Sequence, residues 1–135
     1  MPLMRRQRGR PAFSIADEYD VQDLMHGLLR LHFRDVRPEE VTPSYGGSSS
    51  RMDFLLKRER VVVEVKMARA GLGQKQVRDQ LIQDKELYRT HPDCSSLVCF
   101  VYDPGRHCEN PAALENDLSQ PSNELSTVVI VVPQS

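Results

Sequence analysis

The chain has 135 residues, of which 39% are hydrophobic and 27% charged, and its net charge is −1. That length suits one domain able to bury a core without staples, and the composition reads as globular rather than disordered. No run of 18 apolar residues is present, which excludes a membrane-spanning helix, and the start lacks the apolar core of a secretory signal.

Arg5, Arg6, Arg8 and Arg10 lie in the first ten residues, which hold no acid. The near-zero total therefore hides a basic arm ahead of an acidic body. Residues 1–13 read as a flexible basic arm or linker that can touch phosphates, and residues 14–135 as the folded domain. Ser14 or Asp17 supplies an N-cap, and Asp17, Glu18 and Asp20 suit the positive end of a helix. Val21, Leu24, Leu28 and Leu31 follow at helical spacing, which predicts a helix from about 16 to 32. Pro38 to Tyr45 predicts a short strand, and Gly46 to Ser50 a turn.

Two strands are predicted next, over 51–57 and 60–66. A loop with Gly71 and Gly73 leads into a helix over 74–89, whose inward stripe is Val77, Leu81, Asp84 and Tyr88. Pro92 closes it. Leu97 to Tyr102 is apolar on both faces, as a buried central strand is. Asp103-Pro104-Gly105 turns the chain, 111–118 suits a short helix, and Thr127 to Val132 a last strand. The order predicts an α/β domain in which a mixed β-sheet is flanked by helices. Its strand–helix–strand unit over 60–102 is long enough for a right-handed parallel crossover.

The three cysteines, Cys94, Cys99 and Cys108, are odd in number and irregular in spacing. They point to a reducing cytoplasm rather than a disulfide framework. His91, Cys94, His107 and Cys108 match no closed zinc motif. No spacing supports a Ser-His-Asp triad around Ser48, Ser49 or Ser50.

The strands RMDFLLK and RVVVEVK carry charges inside apolar runs. A turn centred between Arg58 and Glu59 pairs 57 with 60, 55 with 62 and 53 with 64. Asp53 then stands opposite Glu64, and Lys66 shares their face. Met52, Phe54, Leu56, Val61, Val63 and Val65 line the other face as a core layer. Two opposed carboxylates repel, so positive charge belongs between them. Two readings fit: a Lys66–Glu64–Asp53 ion network on an exposed sheet face, or a divalent cation held by carboxylate oxygens.

Asp53, ten residues, then Glu64-Val65-Lys66 resembles the PD-(D/E)XK signature of restriction-endonuclease-like nucleases. The surrounding helix, hairpin, crossover helix and buried strand are similar to that family over about residues 15–132. Small bacterial restriction and defence nucleases related to the GATC-cutting type II restriction enzymes resemble it most. The family's proline before the aspartate is Met52 here. The resemblance implies an α-β-β-β-α-β core plus a C-terminal strand. It also implies a metal-dependent endonuclease of the bacterial cytoplasm, at the nucleoid, that hydrolyses DNA, and the sequence does not itself choose between DNA and RNA.

Asp53, Glu64 and the Val65 carbonyl would hold Mg²⁺, for which Mn²⁺ would substitute, and Lys66 would hold the attacking water or steady developing negative charge. Glu18, at the edge of the first helix's buried face, is a candidate third acid. The other reading of Glu18 is a first-turn acid favoured by the helix dipole. Gln80 is placed on the inward stripe of the second helix, where related nucleases carry a Gln, though the Tyr they place four residues later is Asp84 here. Arg51, Arg69, Lys75 and Arg78 flank the site as phosphate contacts. Ala70 to Gln74 reads as a segment able to move to admit a duplex, and it lacks the ending of a P-loop. The implied partners are DNA, a second copy of the chain and a target-recognition domain, fused or separate. The competing reading is a catalytically inactive module of the same fold that binds nucleic acid or a partner protein.

Overall fold

The computed structural model describes residues 14–38, 41–42, 50–120 and 124–133. The basic arm at 1–13 and the turn at 46–49 lie outside them. Helix α1 (Glu18–His32) begins where Asp17 accepts the Asp20 N–H at 3.0 Å, and Asp20 reaches back to the Ala16 N–H at 2.8 Å. Acids open the helix, and Arg30 and His32 close it, as the helix dipole favours. Strand β1 (Val36–Pro38) follows. Next come β2 (Val41–Thr42) and β3 (Ser50–Arg51), which pair only with each other. The strand expected over 38–45 is therefore split between β1 and this small ladder. The strand expected over 51–57 is likewise divided, and only β4 (Phe54–Leu56) of that stretch joins the main sheet.

Strand β5 (Val61–Met67), helix α2 (Gln74–Arg89), strand β6 (Ser96–Tyr102), helix α3 (Pro111–Leu118) and strand β7 (Ser126–Val132) complete the chain. The main sheet runs β1-β4-β5-β6-β7. β1, β4 and β5 are antiparallel, whereas β5, β6 and β7 are parallel and joined by helical crossovers. The β4–β5 register is as expected from the sequence: Phe54 faces Val63, Leu55 faces Val62, and Leu56 faces Val61. Residues 57–60 make the turn.

Both sheet faces are covered at this hairpin. On one face Phe54, Leu56, Val63 and Val65 pack under α1 with Val21. On the other, Leu55 and Val62 pack with Tyr88 of α2 and Leu97. Met52 departs from the expected layer. The chain bends at Asp53, strict alternation ends there, and Met52 joins Leu55 and Val62 on the α2 side. The exposed-face reading of the charges fails for the same reason. Glu64 and Lys66 are 6% and 8% exposed.

Candidate active site at the parting of two strands

β4 ends at Phe54, one residue short of its charge. Past that point β5 has lost its partner, and the next N–H in the ladder, that of Val65, needs an acceptor. The Asp53 carboxylate supplies it at 2.7 Å. Gln22 of α1 donates to the second Asp53 oxygen at 3.1 Å. A strand residue sends its N–H and C=O to the same side, so the Val65 carbonyl is also aimed toward Asp53.

Glu64 and Lys66 leave the same strand on the α2 face, one residue either side of Val65. Helix α2 meets both. The Tyr88 hydroxyl donates to a Glu64 oxygen, and Lys66 Nζ lies 3.0 Å from Asp84 Oδ2. The spacing of Asp84 and Tyr88, one turn apart, matches two residues on one strand face. Glu18 is half-buried at the start of α1, close enough to Asp53 for their charges to repel.

Four carboxyl groups thus converge on one ammonium. Burial, and then repulsion from Asp53 and Asp84, pushes the Glu64 carboxyl far above the usual range. Burial followed by Asp53 raises Glu18. Asp84 is also raised, because burial outweighs its Lys66 partner. Burial by itself pulls Lys66 down, but Asp84 and the neighbouring negative groups more than offset it, so the ammonium is held. Tyr88 is pushed up by burial and by Glu64, and remains a donor. All five shifts have one cause beyond burial: the cluster is short of positive charge.

The oxygens of this cluster suit a hard divalent cation. Among the described residues, no three His, Cys, Asp or Glu side chains are arranged as a ready-made metal cage. The expected set of Asp53, Glu64, Glu18 and the Val65 carbonyl is therefore gathered in one region without being closed around a point. Mg²⁺ commonly uses one or two carboxylates and completes its shell with water and substrate phosphate, so an open set fits it.

The remaining expected site residues fall differently. Gln80 is exposed, not inward. It stands about 60° from the Val77–Leu81–Tyr88 stripe, and the place beside the strand that it was expected to fill is taken by Asp84. Arg69, Lys75 and Arg78 are exposed. Lys75 and Arg78 share a surface groove of about 480 Å³ with His107 and Glu109. Arg51 contributes backbone to β3, and its side chain lies outside the described residues. The Ala70 to Gln74 segment opens with a closed turn rather than a slack loop. Arg69 and Leu72 exchange backbone hydrogen bonds of 3.1 and 2.9 Å around Gly71, whose φ of 82° suits glycine. Gln22, Asp84 and Tyr88 belong to the cluster, and the sequence reading gave none of them a place there. Asp84 and Tyr88 had been placed on the correct stripe, and their polar ends were the unused signal.

A mixed five-stranded sheet flanked by helices, with Asp53 and Glu64-Val65-Lys66 gathered where two strands part, defines a restriction-endonuclease-like nuclease core. The family model of the DpnII-MboI restriction endonucleases matches residues 2–134, and the chain belongs to that family. No curated protein and no solved structure matches the chain. No helix of the described residues is long and apolar enough to cross a membrane.

Proposed function

We propose that this restriction endonuclease domain hydrolyses DNA phosphodiesters with a divalent cation, Mg²⁺ by preference, at the Asp53–Glu64–Lys66 cluster. The observation that carries the reading is the Asp53 carboxylate bound to the Val65 N–H, which sets Asp53 beside the strand that bears Glu64 and the Val65 carbonyl. Asp53, Glu64 and the Val65 carbonyl would hold the cation. When bound, it supplies Lewis acidity toward the phosphate and a water acidified for attack.

The chain's own residues then have separate tasks. Lys66 is held as an ammonium by Asp84, so it donates hydrogen bonds and positive charge to the water or to a phosphate oxygen rather than acting as a base. Tyr88 fixes the Glu64 side chain by its hydroxyl. Gln22 fixes Asp53. Glu18 adds a carboxylate at the rim, available to the cation's water shell. Water attacks phosphorus and gives up a proton to solvent, the phosphorus–oxygen bond to the leaving nucleoside breaks, and the leaving oxygen takes up a proton from solvent to become a hydroxyl. Arg69, Lys75 and Arg78 offer phosphate contacts that hold a duplex without reading its sequence.

The test is plasmid cleavage by purified protein with Mg²⁺, with Mn²⁺ and with a chelator. Nicking or linearisation that the chelator abolishes supports the reading. Activity that persists in the chelator rules it out.

A further inference from the structure

Helix α1 packs on β1, β4 and β5 and leaves the outer strands on its side of the sheet partly bare. There Phe100 of β6 stands against Ile130 of β7, and Val98 against Val128. Ile130 and Val128 are 39% and 46% exposed, although both belong to an apolar strand. A groove runs between this floor and the helix. Its inner part is apolar and is lined by Ile15, Leu24, Leu28, Phe100 and Tyr102. Its outer part shares Ile15, Leu24 and Leu28 and adds Ser14, Asp20 and Asp23. A sheet face of this composition is normally buried against another element. The edge of β7 is closed to strand pairing, because Gln120, Ser119 and Glu115 accept the N–H groups of Thr127, Val129 and Val131 at 2.8 to 2.9 Å. Whatever covers the floor therefore lies on the face and does not extend the sheet.

The chain itself leads into this groove. Ser14 and Ile15 are the first described residues after the basic arm, and both are part of the groove's wall. Residue 13 is thus already at its mouth. The arm also lies within the stretch that matches the family model, which starts at residue 2. Its charge complements the groove. Arg8 and Arg10 come with no acid beside them, and the groove's rim carries Asp20 and Asp23. Asp20 already accepts the Ala16 N–H, whereas Asp23 takes part in no ion pair among the described residues.

The lengths agree. Asp23 lies six residues past the Asp17 N-cap, roughly 9 Å along the helix axis. Four extended residues carry Arg10 up to about 13 Å from Ser14, so its guanidinium reaches Asp23. Pro11 favours that course, because the residue before a proline is biased toward extended backbone. Phe13 supplies an aromatic ring for the floor, and the arginine stems can lie along apolar surface with their charged ends at the rim.

We propose that residues 8–13 fold back into this groove, with Phe13 on the Phe100–Ile130 floor and Arg10 paired with Asp23. Arg10 then neutralises one of the domain's own acids instead of meeting phosphate. Glu18 and Gln22 occupy the opposite flank of α1, so the docked arm leaves the acidic site open.

The inference stands apart from the nuclease reading, and its test needs no activity. The chain holds no tryptophan, so Phe13→Trp in the full chain is a clean reporter. Its emission is expected to be blue-shifted and shielded from iodide. In that background Arg10→Asp and Asp23→Arg are each expected to move the emission to the solvent value, and the two together to restore the shielding. Ile130→Asp is expected to expose the reporter from the side of the floor. Melting of each variant checks that it is folded, and the charge variants carry the test if Ile130→Asp does not fold. Emission at the solvent value in Phe13→Trp alone overturns the inference. So does shielding that Arg10→Asp and Asp23→Arg both leave in place, which puts the residue in another contact, and so does a charge swap that fails to restore it.

Discussion

Asp84 of α2 holds Lys66 of β5 at 3.0 Å, and so the crossover helix, rather than the hairpin, sets the position of the ammonium at the site. The Lys66 side chain is 10% exposed and that of Asp84 21%. Asp84→Asn removes the charge and most of the hold on Lys66. Turnover is expected to fall on the order of 10²-fold, the effect of a misplaced group in a site. Stability is expected to change by about 1–2 kcal/mol, because the other acids still surround Lys66 and the pair is partly exposed. Single-turnover cleavage and urea melting check the two parts. Asp84→Glu should recover part of the rate.

Tyr88→Phe deletes one hydroxyl and leaves a Glu64 oxygen unpaired in a buried setting. The expected cost is about 1–3 kcal/mol. The Tyr88 hydrogen bond favours the ionised form of Glu64, so its loss moves the Glu64 carboxyl further up. The rising limb of the pH–rate profile is expected to shift toward alkaline pH in the variant. A profile that stays in place would mean that Glu64 does not govern that limb.

Glu64 also makes stability depend on pH. Its carboxyl is raised above the ordinary 4.5, so the folded protein binds its proton more tightly than the unfolded chain does. Stability from this group is complete at acid pH and is lost as pH rises through the folded value. A divalent cation should offset that loss. The rise in melting temperature on adding Mg²⁺ is therefore expected to be larger at pH 8 than at pH 5.5. Without metal, Glu64→Gln is expected to melt at or above the parent at pH 8, and to lose the Mg²⁺ response.

Asp53 has a structural part in accepting the Val65 N–H, and two substitutions separate that part from the chemical role proposed for it. Asp53→Asn retains a carbonyl oxygen for the Val65 N–H, so it should keep most of the stability and lose cleavage. Asp53→Ala leaves that N–H without its acceptor and should cost about 1–3 kcal/mol more. Thermal melting of the two variants, side by side, makes the comparison.

The sequence made some of this visible and hid the rest for identifiable reasons. The charges at Asp53, Glu64 and Lys66 set the hairpin register, because a slip of one residue would part the two acids and put each valine on the wrong face. The α2 stripe was legible because Val77, Leu81 and Tyr88 recur at helical spacing and are all buried. Met52 was misplaced because alternation presumes an unbroken strand, and the bend at Asp53 breaks it. Gln80 was misplaced because the edge of a helical stripe is set by what packs on it, which spacing alone does not determine. The contact of Asp84 with Lys66 depends on how α2 lies over β5, a tertiary relationship that no local pattern encodes.

The most direct test of the site compares cleavage of plasmid DNA in Mg²⁺ by the parent, Glu64→Gln, Lys66→Met and the double variant. If the three residues around the β4–β5 break work as one centre, each single variant should lose nearly all turnover, and the double variant should be no worse than either. All three variants should retain a folded-state melting transition. A single variant that cuts at close to the parent rate, or losses that multiply in the double variant, would contradict the account and put the chemistry at another place on the fold.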